Sequence, residues 1–556
     1  MSRLLQLRFA ILAASSLLVC FPAISAAQSS APERTQASSG SYRIAGTVVS
    51  TTGGYPLAGA RVLIADTRNR RNIQSLLTSE DGRFEFQVNQ GKYALQAAKR
   101  GFITSAYDQH DQFSTAIATG PDLATGNLIL RLAPAAVLAG KVFDESGDPV
   151  RHASVSVYRL DRFSGVTRIG LFRRASTDDQ GAYEVTPLDG GTYFVSVSAK
   201  PWYAVHPASS QPGSGTPPSQ VDRSLDVAYP VTYYADATEA DDATPIPIKG
   251  GDHIEVDIHL NPIPALHLLF HVADDGTNGF TVPQLQKPDF DGMDSVQTGE
   301  VQNVSPGVYE MTGLAPGRYA VRMPGSANDY MKEPTEIDLT RDGQELDAPS
   351  SDPASSVKAT VQLLGGAPLP SPLTVELRTA KEKIPMTAEV DAKGGVTFQN
   401  VVAGKYDVLA GTPTKAYAVV RIASQGGDTA GHALNVPAGS SLAVSLVLTE
   451  GAVTVEGFAK RSGKPVAGAM VVLVPKDPEA NHDFFRRDQS DLDGSFSLQS
   501  VIPGSYTIIA IENAWDLDWA KPAVLAHYCQ HGQSVIIGDQ SKGSMTLPNP
   551  LEVQPR

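Results

Sequence analysis

Few places in this chain combine residue types and spacings that could do chemistry. His527-Tyr528-Cys529-Gln530-His531 gathers three soft ligands, and zinc accepts two imidazoles and a thiolate. Read as a strand, the stretch carries all three on one side, but no fourth ligand is evident, and a connecting loop with an exposed thiol is the expected reading. Asp491-Leu492-Asp493-Gly494 opens like a calcium loop, yet the later ligand positions hold Phe496 and Leu498, so a hairpin turn is expected instead. None of the eleven histidines has Glu three residues later, which denies the His-x-x-Glu pair of a zinc peptidase. There is also no His-Glu-x-x-His, no complete Gly-x-Ser-x-Gly elbow and no Gly-x-x-x-x-Gly-Lys phosphate loop. The expectation is a protein that is not an enzyme and has no catalytic residue, metal site or cofactor.

The aromatics point elsewhere. Trp202 with Tyr203 follows the strand of Tyr193, and Trp515 with Trp519 follows the strand of Tyr506. Flat rings displayed on loops can stack on the faces of sugars; the alternative is that each pair caps the open end of its domain. Tyr233 and Tyr234 are assigned to the same surface. Trp202, Tyr203, Tyr233, Tyr234, Trp515 and Trp519 are therefore the candidate ligand contacts.

The elements that would position these loops are set by a repeat. Asp493-Gly494-Ser495-Phe496 is followed by Pro503-Gly504-Ser505-Tyr506, and the same order recurs at Asp81-Gly82 to Tyr93, Gln180-Gly181 to Tyr193, Gly307 to Tyr319 and Gly394 to Tyr406. Glycine supplies the positive φ of each hairpin turn, and alternating apolar residues after it mark a strand with one buried face. The tyrosines lie roughly 90 to 125 residues apart, the size of a small β-sandwich. Five domains are expected over 42–134, 135–263, 264–351, 352–450 and 451–556, with a disordered insertion at 206–220 and a degenerate third copy whose first half is weak. Boundaries such as Leu132-Ala-Pro-Ala-Ala-Val137 have almost no linker. A semi-rigid rod on the order of 150 Å is the resulting expectation.

A chain of 556 residues with net charge −14 and no run of Lys or Arg does not suit nucleic acid, which needs a basic surface. Residues 1–27 read as a secretory signal, with Arg3 and Arg8 before the apolar stretch Phe9 to Cys20 and Ser25-Ala26-Ala27 at the cleavage site. The rival is a lipoprotein anchored at Cys20, for which Val19 is a poor preceding residue. Residues 28–41 read as a flexible leader. No later segment has the apolar run of a membrane span, so the expected location is the periplasm, the cell surface or the medium. Cleavage after Ala27 leaves Cys529 as the single thiol, so the domains must hold by packing.

The order strand, Gly-x-Pro-x-x-Gly-Ala, strand, Asp-x-Gly-x-Phe, Pro-Gly-x-Tyr resembles the carboxypeptidase regulatory-like domain family, close to collagen-adhesin B-type repeats. Gly53 to Gly101, Gly147 to Tyr193 and Gly463 to Tyr506 carry the resemblance best. Tyr229-Pro-Val-Thr-Tyr-Tyr234 with Ala243-Thr-Pro-Ile-Pro-Ile248 also looks like tandem proteins of this family exported by soil bacteria. The resemblance implies an all-β architecture of seven-stranded, prealbumin-like (Ig-like) sandwiches, a fold shared with carbohydrate-binding modules. Some adhesin relatives carry a Lys–Asn isopeptide bond catalysed by an acid; here the positions four residues after each tyrosine hold Ala97, Val197, Met323, Ala410 and Ala510, so no cross-link is expected. The leading functional expectation is an exported binding module of the envelope with polysaccharide as ligand class. The alternative is a spacer or scaffold for an envelope protein, such as a secreted enzyme or an outer-membrane transporter.

Overall fold

The computed structural model describes residues 41–556 apart from 70, 163, 208–221, 272–283, 297–300, 306–307, 323–334, 347–354, 380–385, 414, 426–428, 431–432, 450–452, 480 and 539–542. The expected signal and leader, Cys20, most of the 206–220 insertion and Met323 lie outside the described residues. The chain is all-β, built from paired sheets that enclose hydrophobic cores.

One pairing rule repeats five times. The opening strand of each sandwich lies between two partners: the strand after the glycine turn, antiparallel, and the closing strand, parallel. In the first sandwich Tyr42–Ser50 runs between Arg83–Val88 and Leu128–Leu132. The corresponding opening strands are Ala136–Phe143 in the second, Leu266–His271 in the third, Ser355–Leu363 in the fourth and Val453–Arg461 in the fifth. Period-two patterning dictates the inward faces: Phe84, Phe86 and Val88 are buried while their neighbours are exposed. The parallel partner approaches so closely that a Cβ on Gly46 would stand 2.1 Å from the Leu128 carbonyl oxygen, and one on Gly140 1.9 Å from that of Val256.

The turn chemistry is as the sequence requires. Gly82, Gly181, Gly394 and Gly494 have φ of 74°, 71°, 84° and 76°, where a side chain would be strained. Each repeat tyrosine sends its ring into the core and its hydroxyl back four residues to a backbone carbonyl. Tyr93 donates to Asn89 at 3.0 Å, Tyr193 to Asp189 at 2.9 Å, Tyr319 to Ala315 at 2.5 Å, Tyr406 to Val402 at 3.0 Å and Tyr506 to Ile502 at 2.7 Å. The buried phenol is thus paired, as a polar group in a core must be, and the bond closes the turn that precedes the strand. Ala97, Val197, Ala410 and Ala510, four residues beyond, are buried among apolar neighbours.

The opening strand of the third sandwich buries Leu268 and Phe270 fully in its core. Two expectations are corrected. Pro522–Cys529 is an α-helix, with proline in the first turn where its missing N–H costs nothing, and Leu525 and Tyr528 are buried. His527 and Cys529 therefore do not share one side of a strand. Leu492 of the fifth sandwich also packs against the core of the first, a contact that the expected end-to-end stringing of the semi-rigid rod does not provide. Short linkers limit the distance between neighbours but leave the bend at each junction to the contacts that follow.

Candidate ligand-binding groove

The contact between first and fifth sandwiches uses the two stretches that the repeat makes most conspicuous. The Leu492 N–H donates to the Ala116 carbonyl at 3.0 Å, and the Ala116 N–H donates to Asp491 Oδ1 at 3.0 Å. Lys92, from the Gly-Lys-Tyr turn of the first sandwich, pairs with Asp491 at 2.9 Å and lies 3.8 Å from Asp493. In the second and fourth copies the equivalent aspartates, Asp178 and Asp391, accept N–H groups of their own turn instead. The apparent calcium loop is a hairpin turn with one carboxylate redirected to a neighbouring sandwich.

Beside it, the strand Arg486–Gln489 faces the loop 108–116. Gln489 is buried and donates from Nε2 to the Asp108 carbonyl at 2.6 Å and to Thr115 Oγ1 at 2.8 Å, with His110 Nδ1 3.2 Å from its Oε1. Arg487 pairs with Asp111 at 3.0 Å, and its guanidinium lies 5.0, 5.6 and 4.9 Å from the ring centroids of Phe113, Trp515 and Trp519. Desolvation pulls the Arg487 pKa below its ordinary value while Asp111 opposes the shift. A buried guanidinium among aromatic faces is a stable arrangement when one carboxylate neutralises it.

These contacts decide the fate of the predicted aromatics. Trp519 is buried, covered by Arg487 and by Gly165 of the second sandwich, where a Cβ would meet its ring at 2.8 Å. Tyr233 is fully buried and donates to Asp289 Oδ1 at 3.0 Å. Neither ring can stack on a ligand, which corrects the expectation for both; each sits where two sandwiches meet, a position no single repeat reveals. Tyr234 is half-buried against the second core. Tyr203 is half-exposed and donates to Glu145, which also accepts from Tyr229 at 2.8 Å. Trp202 is 87% exposed and stands edge-on to Tyr203. Trp515 is half-buried, its indole N–H on the Gly468 carbonyl at 3.1 Å and its face stacked on His110 at 5.0 Å.

Trp515 also lines a groove of about 680 Å³ that the first, second and fifth sandwiches enclose. Phe172 and Arg159 come from the second sandwich, with Arg159 paired to Asp189 at 2.8 Å and its guanidinium 6.0 Å from the Phe172 centroid. Arg162 contributes a second cation, 3.7 Å from Asp518. Gln109 and Gln112 bring amides from the first sandwich, and Asp161 and Asp516 add carboxylates. Apolar ring faces, planar cations, amides and carboxylates around one trough can bind a neutral polyhydroxylated chain through both its faces and its edges. Among the described residues no group of three or more His, Cys, Asp or Glu side chains is placed to hold a metal ion. Arg487, Gln489, His110, Arg159 and Phe172 escaped the sequence reading; the Arg486-Arg487 pair, isolated in an acidic chain, was the available signal.

No curated protein matches the sequence. Among solved structures, the Bacillus anthracis TIE protein is 11% identical, with 75% of each chain covered and a TM-score of 0.17. The streptococcal ancillary pilin is 11% identical over 55% of this chain and 98% of its own, at a TM-score of 0.19. The shaft pilin SpaA of Lactobacillus rhamnosus GG is 10% identical over 40% of this chain and 98% of its own, at 0.18. From the opening strand of the first sandwich to its short strand Ile117–Ala118, residues 43–117 match the family model of the carboxypeptidase regulatory-like domain.

Proposed function

We propose that the protein is an exported, non-catalytic binding module of the cell envelope or extracellular space. It has five β-sandwich domains, bounded near residues 42–134, 135–263, 264–351, 352–450 and 451–556, and takes a carbohydrate chain in the groove beside Trp515. The observation that carries this reading is the groove itself. Its aromatic, amide and paired-charge lining is the donor and acceptor mixture that a sugar's hydroxyls and C–H faces require. Trp202, exposed at the end of the second sandwich, is a second contact for a long polymer. Retention on immobilised polysaccharides and a glycan array test it. Gln112→Ala and Trp202→Ala, both surface changes, should each weaken retention by about tenfold, the equivalent of roughly 1.4 kcal/mol. Lack of retention of the native protein on any glycan, or retention of both variants equal to that of the native protein, would end the carbohydrate reading.

The clasp between first and fifth sandwiches favours a second reading, a structural scaffold that presents a fixed surface to an envelope protein. It predicts an empty glycan panel together with a stoichiometric complex with one defined envelope partner.

A further inference from the structure

The second and third sandwiches meet at a buried chain of polar groups that the groove does not use. His267, on the strand Leu266–His271 of the third sandwich, is 4% exposed. Its Nδ1 is 2.8 Å from Glu310 Oε1 and its Nε2 is 3.0 Å from Asp226 Oδ2. Glu310 lies on the neighbouring strand of the third sandwich and is fully buried, its other oxygen accepting from Gln302 at 3.3 Å. Asp226 comes from the second sandwich and also holds His206 Nδ1 at 2.8 Å. The His206 ring lies on the third sandwich's backbone, where a Cβ on Gly313 would be 2.6 Å from its Nε2. A third carboxylate, Asp342, accepts the backbone N–H of His267 at 3.0 Å.

A neutral imidazole has one N–H and one lone pair. Here both ring nitrogens face carboxylate oxygens at hydrogen-bond distance, so a neutral ring would set its lone pair against an anion's in a site with little water to screen them. That arrangement is costly at low dielectric. Two donors are needed, and the two carboxylates supply the countercharge.

We propose that His267 is held as an imidazolium that bridges Asp226 of the second sandwich to Glu310 of the third, making this junction a proton-operated latch. Burial alone disfavours the cation, but the Glu310 hydrogen bond and the charges of Asp226, Glu310 and Asp342 outweigh it, and the His267 pKa stands above its ordinary value. An unfolded histidine titrates near about 6.5. With the folded value raised, the latch's stabilisation is complete below the unfolded value and is lost as pH rises through the folded one. Loss of the proton leaves two carboxylates facing a ring that can satisfy one of them, and the junction loosens on the alkaline side.

The inference stands apart from the ligand reading and is tested on the mature chain with ¹³C-labelled histidine. His267→Gln assigns the ring's Cε1–H resonance, and His206→Gln removes the other ring that touches Asp226; Ala265 exchange on the native chain keeps the test open if the first variant misfolds. Asp226→Asn keeps an acceptor but removes a charge. The His267 midpoint should lie above about 6.5 and fall by about one pH unit in Asp226→Asn. Exchange of the Ala265 amide, which donates across the junction to the Asp226 carbonyl at 2.9 Å, should accelerate across the same midpoint after correction for its intrinsic pH dependence. A ring that titrates at or below the ordinary value, a midpoint indifferent to Asp226→Asn, or Ala265 protection that does not change would each overturn the latch.

Discussion

Arg487→Ala should open the contact between the first and fifth sandwiches while leaving both folded. The Arg487 side chain is 7% exposed, but Trp515 and Trp519 belong to its own sandwich, so only Asp111 and Phe113 count towards closure. Truncating one partner of a fully buried ion pair costs about 3–5 kcal/mol. Asp111 is 33% exposed at its side chain, which reduces that to about 1–2 kcal/mol after solvent screening. A partly desolvated cation–π contact with Phe113 adds about 0.5–1 kcal/mol. The total of about 1.5–3 kcal/mol corresponds to a closed-to-open ratio lowered about 10- to 150-fold. The reporter is the Leu492 amide, which is bonded only across this contact, to Ala116; its exchange protection should fall by that factor while core amides of both sandwiches keep theirs. Asp111→Ala should act less than additively with Arg487→Ala. Unchanged Leu492 protection, or two effects that add to within about 0.5 kcal/mol, would refute the reasoning.

Two further perturbations address the scaffold. Tyr506→Phe removes the hydroxyl that reaches the Ile502 carbonyl at 2.7 Å and should destabilise the fifth sandwich by about 0.5–1.5 kcal/mol in chemical denaturation; no change would mean the bond is replaced by solvent. Burial raises the Asp488 carboxyl to about 6, against hydrogen bonds from the Ser497 and Gln489 N–H groups. A raised carboxylate weakens the fold above its folded pKa and is harmless below its unfolded value. Asp488→Asn, which can still accept from Ser497, should therefore raise the thermal midpoint at pH 8 by the equivalent of about 1 kcal/mol and have little effect at pH 4. An equal effect at both pH values would contradict this.

Much of the scaffold was legible because its signals are local. A glycine with positive φ, a strand of alternating apolar residues and a tyrosine after a Gly-containing turn fix each hairpin without reference to anything distant. The helix Pro522–Cys529 was missed because its eight residues offer a weak apolar period. Trp519 and Tyr233 were expected on the surface because a large aromatic beyond a repeat strand looks displayed until a second sandwich is laid over it.

By itself, then, the sequence determined the hairpins, their inward faces and the sandwich class, since these follow from backbone sterics and patterning within some thirty residues. Tertiary structure alone decided that Asp491 accepts from Ala116 while Asp178 and Asp391 serve their own turns, that Arg487 closes the first sandwich onto the fifth, and that His267 lies between Asp226 and Glu310. Those partners are set by the angle at which whole sandwiches meet. That angle is a balance of side-chain contacts between residues up to hundreds of positions apart, and no local period encodes it.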